Sequence, residues 1–408
     1  MFGVFCLKKI LSLFLALLLM GGMWVSAEEK RVASECDISD IDVPLSTVET
    51  ATAIGQTLEI KAKSAILMEP NTGKILYEMN SDEILPPASI TKIMSLLLVM
   101  EALDRRDFDL ETVVSASEHA CSMGGSQIWL EPGEGMTVDD LLRATVIASA
   151  NDACVALGEL VAGSEEGFVS LMNQRAEELG MNSTTFKNCT GLDAEGHTTT
   201  AHDVAVMSGE LIKHDLIKDY STVWMDSLRN GESELVNTNK LVRFYKGTTG
   251  LKTGTTSTAK YCLSATAERD GLELVAVIMA GDSSSDRFEG AKKLLDYGFS
   301  NYSFSKIDPE FNQKSVEISK GEIKKVGVEA KGSISLLLPK ADKNNITRQV
   351  EWKKNLSAPV NKGDVLGYVN IFNGEESIGR VEIRATERVK KRNFALSFGK
   401  IIVGIFKI

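Results

Sequence analysis

Apolar and polar positions alternate along this chain in three distinct textures. Ala65-Ile66-Leu67-Met68 and Ile75-Leu76-Tyr77 flank the turn-forming Pro70-Asn71-Thr72-Gly73, a β-hairpin pattern. From Ile90 to Leu103 nearly every position is apolar, so the spacing predicts a helix buried on all sides. Pro86-Pro87 leads into it and keeps the preceding backbone extended. A second helical stretch runs from Met136 to Gly163, opened by Thr137 with Asp139 and Asp140 in its first turn. The small and polar run Ala148-Ser149-Ala150-Asn151-Asp152 is expected to interrupt it. Phe168 to Leu179 reads as another helix, stopped by Gly180. The texture then turns to strands. Gly250 to Thr255 opens a strand-rich block, and Tyr261–Ala267 and Leu272–Ala280 are joined at Arg269-Asp270-Gly271. A helix over Arg287–Phe299 closes this part. Late strands beside an early hairpin, with helices elsewhere, make an α+β layer arrangement.

From Lys314 to Ala385 helical periodicity is almost absent. Short alternations take its place: Val316/Ile318, Val326/Val328, Ile334/Leu336/Leu338, Val350/Trp352, Tyr368/Val369/Ile371 and Val381/Ile383, the last two separated by Asn373-Gly374. This is a small all-β domain, expected over 303–386. The larger domain is expected over 55–302, after a polar lead-in at 28–54.

Both ends have a character of their own. Lys8 and Lys9 precede the apolar run Ile10–Met20, and Val25-Ser26-Ala27 offers small residues for cleavage, so 1–27 reads as a secretory signal peptide. An uncleaved anchor is the alternative, disfavoured by a run short for a membrane span. Over 387–408 a helix would place Asn393, Ser397, Lys400, Gly404 and Lys407 on one stripe. Phe394, Phe398, Ile401, Ile402, Ile405 and Ile408 fall on the opposing side, and the cluster Arg388, Lys390, Lys391 and Arg392 stands in front. That combination predicts an amphipathic helix lying at a membrane surface. A last helix packed on the β domain is the other reading.

The formal net charge is −11, yet residues 387–408 carry six Lys or Arg against one acid, which leaves −16 on the remainder. An acidic body argues against a nucleic-acid partner. Once Cys6 has left with the signal, five single cysteines remain, more like buried thiols than a disulfide framework. The four histidines are dispersed and no Cys/His group has metal-ligand spacing, so neither metal nor cofactor is expected. There is no internal repeat and no phosphate-binding glycine loop.

Candidate chemistry sits at the start of the apolar helix. Ser89 and Lys92 are three residues apart and share one helical face. A buried lysine has its pKa pushed down, and its neutral amine can then activate a serine hydroxyl. Ser-x-x-Lys alone is weak, because a serine before a helix is commonly a cap. Two further short motifs follow in order, Ser149-Ala150-Asn151 and Lys252-Thr253-Gly254. Together they supply what acyl transfer needs. Ser89 is the nucleophile and Lys92 its base; Ser149 can relay a proton to the leaving nitrogen, and Asn151 can orient Lys92 and bind a substrate amide. Lys252 and Thr253 can hold a terminal carboxylate, and Gly254 leaves room for substrate along the strand. The backbone N–H groups of Ser89 and Thr255 are candidates for an oxyanion hole.

The motif triplet occurs in penicillin-binding proteins and class A β-lactamases. The sequence resembles the low-molecular-mass penicillin-binding proteins that are serine D-alanyl-D-alanine carboxypeptidases, from about Lys61 to the C-terminus. Pro87-Ala88-Ser89-Ile90-Thr91-Lys92-Ile93-Met94, Gly180-Met181-Asn182, Thr185-Phe186-Lys187-Asn188, Gly191-Leu192-Asp193, Thr199-Thr200-Ala201, Asn237-Thr238-Asn239 and Gly250-Leu251-Lys252-Thr253-Gly254 carry the likeness. The resemblance implies a penicillin-binding, β-lactamase-like domain followed by the β domain and the anchoring helix. It also implies removal of the terminal D-alanine from peptidoglycan pentapeptides through an acyl-enzyme on Ser89, acylation by β-lactams, and attachment to the outer face of the cytoplasmic membrane. Two positions depart from the pattern. Some relatives have arginine where Thr238 stands, a place Arg243 could fill, and some have histidine at Thr255. A β-lactamase is the first alternative, but Met181–Leu192 lacks the acidic residue that would activate a deacylating water. A non-catalytic peptidoglycan-binding module is the second. Trp129 and Trp224 are expected in the core, Asp152 as a helix-start charge, and His197 and His202 in packing or surface roles.

Overall fold

The structure, a computed structural model, describes residues 58–393 and Phe398. The hairpin forms as its pattern requires: β1 (Ser64–Glu69) pairs with β2 (Lys74–Met79). The buried Glu69 carboxylate accepts from the N–H groups of Asn71 (2.9 Å) and Thr72 (2.8 Å), which fixes the turn. Three later strands, β3 (Thr248–Thr256), β4 (Lys260–Arg269) and β5 (Leu272–Gly281), complete an antiparallel sheet of order β2-β1-β5-β4-β3. Both faces of its middle strands are apolar. Leu274, Ala276 and Ile278 of β5 join Ala65 and Leu67 in one core, whereas Val275, Val277 and Met279 join Ile66 and Met68 in the other. Such strands read as unbroken apolar runs because helical layers cover both sides.

The helix α1 (Lys92–Asp104) lies in the larger core with no exposed face over its first nine residues, in agreement with its unbroken apolar pattern. A 3₁₀ turn, Ala88–Thr91, leads into it. Around α1 pack α2 (Val138–Arg143), α3 (Asn151–Ala162), α4 (Glu165–Glu178), α5 (Ala201–Leu211) and α6 (Leu216–Ser221). The Thr137 side chain caps α2, accepting from the Asp140 N–H at 3.1 Å, and Ser164 caps α4. The break between α2 and α3 falls where expected. Its form was not legible: a wide π-type turn over Ala144–Ala148, then Ser149 in the left-handed region at φ 64°. On the other face of the sheet, α7 (Ser284–Asn301) covers Leu263, Ala265 and Leu274 with Leu294 and Leu295.

The chain passes directly from α7 into β6 (Tyr302–Ile307), then β7 (Ser315–Glu317), β8 (Lys325–Ala330), β9 (Ile334–Pro339), β10 (Ile346–Trp352), β11 (Val365–Asn373) and β12 (Glu376–Ala385). Five of these form a sheet of order β7-β8-β12-β11-β10, and β6 pairs with β9. The β domain is less separate than its change of texture implies. Neighbouring residues of β9 serve two cores, Leu337 the one beneath α7 and Leu338 the one beneath β11.

One boundary is corrected. Glu387–Arg392 was assigned to the tail helix, but it runs along the β domain. Val389 is buried in that domain's core, Val360 pairs with Val389, and the Arg392 N–H donates to Lys320 O at 2.8 Å. Alternation of one apolar residue between cations reads equally as a strand edge, and the tertiary partner decides. Residues 1–57, 394–397 and 399–408 lie outside the described residues, and with them the signal peptide, the whole lead-in and all of the segment 394–408 but Phe398. Among the described residues no helix is long and apolar enough to cross a membrane.

Gly158 of α3 faces the ring of Phe168 of α4, where an added Cβ would lie 2.7 Å from Cδ1. Gly158→Ala should therefore destabilise the protein by about 1–3 kcal/mol, despite alanine's better helix propensity. Urea unfolding at equilibrium measures this; an unchanged or raised midpoint would show that α4 gives way without cost.

Candidate active site

Three segments converge at the start of α1. Ser89 lies within the 3₁₀ turn and makes no capping bond, so the commonest bland role for a serine before a helix does not apply. One turn later Lys92 is wholly buried. Its Nζ sits 3.2 Å from Ser89 Oγ, 2.5 Å from Asn151 Oδ1 and 2.7 Å from the Thr190 carbonyl. Burial is the main cause that lowers its pKa below the usual lysine value, and nearby Cys154, Cys189 and Asp152 oppose this in part.

The break after the π-type turn places Asn151 at the first position of α3. Its Nδ2 donates to Gly124 O at 2.6 Å, which leaves Oδ1 for Lys92. Ser149 is buried beside it. Thr190 belongs to a loop organised by Asn188, whose Oδ1 accepts from the N–H groups of Thr190 (3.2 Å) and Gly191 (2.7 Å). Gly191 has φ +86°, and a Cβ there would lie 1.8 Å from Ala88 O, so only glycine lets this loop close on the Ser89 turn.

The third wall is β3. Lys252 is buried, and its pKa is driven well below the ordinary value, first by burial and then by the charges of Lys92 and Arg287. Its Nζ donates to Thr253 O at 3.2 Å. Thr253 Oγ1 donates to Thr238 Oγ1 at 2.7 Å. Gly254 abuts the Ser89 turn, where a Cβ would lie 2.9 Å from Pro87 O and 3.1 Å from Ile90 N. Its absent side chain thus serves the approach of strand to turn, a reason different from the room for substrate expected above. Thr255 is exposed, and its Oγ1 donates to Gly254 O at 2.8 Å.

With this geometry in view, comparison with known proteins is decisive. Residues 49–283 match the family model described as D-alanyl-D-alanine carboxypeptidase, and residues 299–391 match the C-terminal domain of penicillin-binding protein 5. The chain belongs to the D-alanyl-D-alanine carboxypeptidase family. It is 43% identical over 352 residues to the D-alanyl-D-alanine carboxypeptidase DacF of Bacillus subtilis, covering 84% of this chain and 90% of that one. Among solved structures it resembles penicillin-binding protein 5 from Haemophilus influenzae, with a TM-score of 0.69 at 28% identity over 82% of this chain and 99% of the other. It also resembles penicillin-binding protein D2 from Listeria monocytogenes in its ampicillin-bound form, with a TM-score of 0.55 at 31% identity over 60% and 99%.

All eight positions expected in this carboxypeptidase site, Ser89, Lys92, Ser149, Asn151, Lys252, Thr253, Gly254 and Thr255, lie on these three converging segments. Other expectations change. Trp129 is not in the core: it is 75% exposed, on a loop whose N–H groups at Ile128 (3.1 Å) and Leu130 (3.1 Å) are held by Asp152. Asp152 is accordingly fully buried and anchors that loop, more than a helix-start charge. Arg229 holds the loop from the other side, donating to Ile128 O at 2.9 Å and to Glu134. Trp224 is only partly buried, and Arg243 lies over its ring at 5.5 Å, so this arginine is stacked on an aromatic group. His197 is buried against Thr91 Oγ1 (2.9 Å), and burial lowers its pKa to about 4. The neutral ring accepts the Lys187 N–H at Nδ1, so Nε2 donates to Thr91. His202 stays half-exposed beside Asp203.

Sequence reasoning missed Thr190, Asn188 and Arg287. A carbonyl oxygen carries no side-chain signature, Asn188 acts on backbone N–H groups of its own loop, and Arg287 acts on backbone atoms far along the chain. The lone sign for Arg287 was a cation at the start of an otherwise amphipathic helix.

Buried lysines oppose folding. Folded, Lys252 binds fewer protons than it does unfolded, so between its lowered pKa and about 10.4 stability rises with pH. Lys252→Met should raise stability at neutral pH by about 1 kcal/mol or more, and flatten that rise. Chemical denaturation across pH measures both; a destabilised variant with an unchanged slope would refute the cost assigned to this ammonium.

Proposed function

We propose that the chain is a serine D,D-carboxypeptidase that removes the terminal D-alanine of a peptidoglycan pentapeptide side chain through an acyl-enzyme on Ser89. The observation that carries this reading is the set of neighbours around Lys92. Two of the three, Asn151 Oδ1 and Thr190 O, can only accept hydrogen bonds. A neutral amine has two N–H bonds, and both are taken by those oxygens. The lone pair is then left facing Ser89 Oγ, whose O–H donates to it.

The steps follow from that arrangement. Ser89 Oγ attacks the scissile carbonyl as its proton passes to Lys92 Nζ. Negative charge develops on the carbonyl oxygen near the N–H groups of Ser89 and Thr255. The tetrahedral intermediate collapses, the C–N bond breaks, and the proton held by Lys92 reaches the leaving D-alanine nitrogen through the Ser149 hydroxyl. Water then attacks the ester carbonyl, giving one proton to Lys92; the C–Oγ bond breaks, Lys92 passes that proton to Ser89 Oγ, and the shortened peptide leaves as its carboxylic acid. Lys252 and the Thr253 hydroxyl receive the terminal carboxylate. That anion restores the proton affinity that burial takes from Lys252.

Deacylation without a carboxylate base favours this reading over a β-lactamase. Two acids beside the loop are engaged elsewhere: Asp193 accepts from Thr256 Oγ1 (2.8 Å) and Thr258 Oγ1 (3.0 Å), and Glu165 from the Cys189 N–H (3.1 Å). A β-lactam acylates Ser89 by the same attack, and its ester persists.

Wild-type protein should release D-alanine from a diacylated Lys-D-Ala-D-Ala peptide and bind fluorescent penicillin covalently. Ser89→Ala should do neither while unfolding within about 1 kcal/mol of wild type. Labelling that persists in Ser89→Ala would sink the nucleophile assignment, and labelling without D-alanine release would make the protein a binder.

The chain is further proposed to be exported by residues 1–27 and held at the outer face of the cytoplasmic membrane by residues 394–408. Support comes from the exposed Arg388, Lys390, Lys391 and Arg392 at the end of the β domain, directly before that apolar segment. Cations at an anionic interface contribute about 1 kcal/mol each. Ending the chain after Asn393 spares the buried Val389. Such a protein should keep its activity on small peptides and no longer sediment with anionic vesicles. If it sediments as fully as the mature chain, the attachment lies elsewhere.

A further inference from the structure

Arg287, in the first turn of α7, is 7% exposed. Its Nη1 donates to Gly254 O at 3.0 Å, to Thr255 Oγ1 at 2.9 Å and to Cys262 O at 3.2 Å. Its Nε has no hydrogen-bond partner, and its guanidinium lies 4.9 Å from the centre of the Phe288 ring. Every one of these partners is neutral. No carboxylate acts on the group, and burial lowers its pKa below the usual arginine range. Packing alone does not call for such a residue, since an apolar side chain would fill this space without burying an unpaired charge.

The orientation of one peptide unit explains it. Gly254 and Thr255 are joined by a trans peptide, in which C=O and N–H point in opposite directions. The Gly254 carbonyl is turned towards Arg287, so the Thr255 N–H is turned away from it. A carbonyl that accepts from a cation withdraws electron density from its own nitrogen, and the N–H becomes a stronger donor.

We propose that Arg287 is a positioning residue for acyl transfer, which fixes the Gly254–Thr255 peptide and polarises it, so that the Thr255 N–H stabilises the oxyanion formed at Ser89. This rests on the assignment of Ser89 as nucleophile. Among the described residues neither Lys252 nor Arg287 has a carboxylate partner, and the tetrahedral intermediate brings two negative charges towards them, a carboxylate and an oxyanion. The site is thus complementary to the intermediate more than to the free substrate.

The test compares wild type, Arg287→Gln and Arg287→Lys in the full mature chain, with D-alanine release for kcat and KM and benzylpenicillin for acylation. Removing a whole oxyanion donor costs about 10²–10³-fold in kcat, so weakening one should cost roughly 10–100-fold. Arg287→Gln should show that loss in kcat with KM near wild type, because the carboxylate contacts remain. The infrared carbonyl band of its penicilloyl ester should move to higher wavenumber. Arg287→Lys keeps the cation and should return kcat to within a few-fold and the band to its wild-type position. The proposal is overturned by Arg287→Gln with wild-type kcat, or with lost kcat and an unmoved ester band. Should Arg287→Gln fail to fold, Arg287→Lys decides alone: retained kcat and band support the proposal, and a folded Arg287→Lys that loses a hundredfold overturns it. Penicillin bound by Ser89→Ala would instead overturn the nucleophile assignment.

Discussion

Burial of the Lys92 amine is the constraint from which the rest follows. An ammonium in that place would be desolvated, with no carboxylate against it, so the fold must surround the nitrogen with oxygens or leave it neutral. It does both. Asn151, Thr190 and Ser89 come from three segments far apart in sequence, and each segment has its own device for arriving. Asn151 arrives through the π-type turn and the left-handed Ser149. Thr190 arrives through a loop tied by the Asn188 side chain. Ser89 arrives through the 3₁₀ turn wedged between two glycines, Gly191 and Gly254, that have no Cβ to keep their backbones away.

The charges around this centre are arranged without mutual neutralisation. Lys92, Lys252 and Arg287 are all buried, and Lys252 is held low in part by the other two. Asp152 lies next to Asn151 in sequence, yet its carboxylate is spent on the loop bearing Trp129. The consequence is a cleft lined by basic groups that burial makes weaker bases, tolerated because the large apolar core around α1 carries the stability that their burial reduces.

Much of this was legible in the sequence, for identifiable reasons. Strands buried on both faces, such as β5, leave unbroken apolar runs, and α1 leaves a longer one. The motifs were readable because catalysis restricts side-chain type. What escaped is what depends on backbone atoms or on partners remote in sequence. Thr190 contributes only its carbonyl, and the close approach of Gly254 to the Ser89 turn leaves no pattern of its own. Trp129 was placed in the core by its composition, though the clamps from Asp152 and Arg229 hold it outward. Arg388–Arg392 was read as a tail because a single buried Val389 between cations leaves almost no periodic signal.

The sheet order leaves β3 at an edge, with no strand beyond it. An unpaired edge of nine residues invites pairing with another chain and is a common seed of aggregation. Here much of it is already taken. Ser221 Oγ donates to Thr249 O at 2.5 Å, and Asn239 Nδ2 to Gly250 O at 2.9 Å, so side chains satisfy the carbonyls that a visiting strand would need first. What remains for a visitor begins after Leu251. Ser221 and Asn239 therefore cover part of this edge against pairing with another chain.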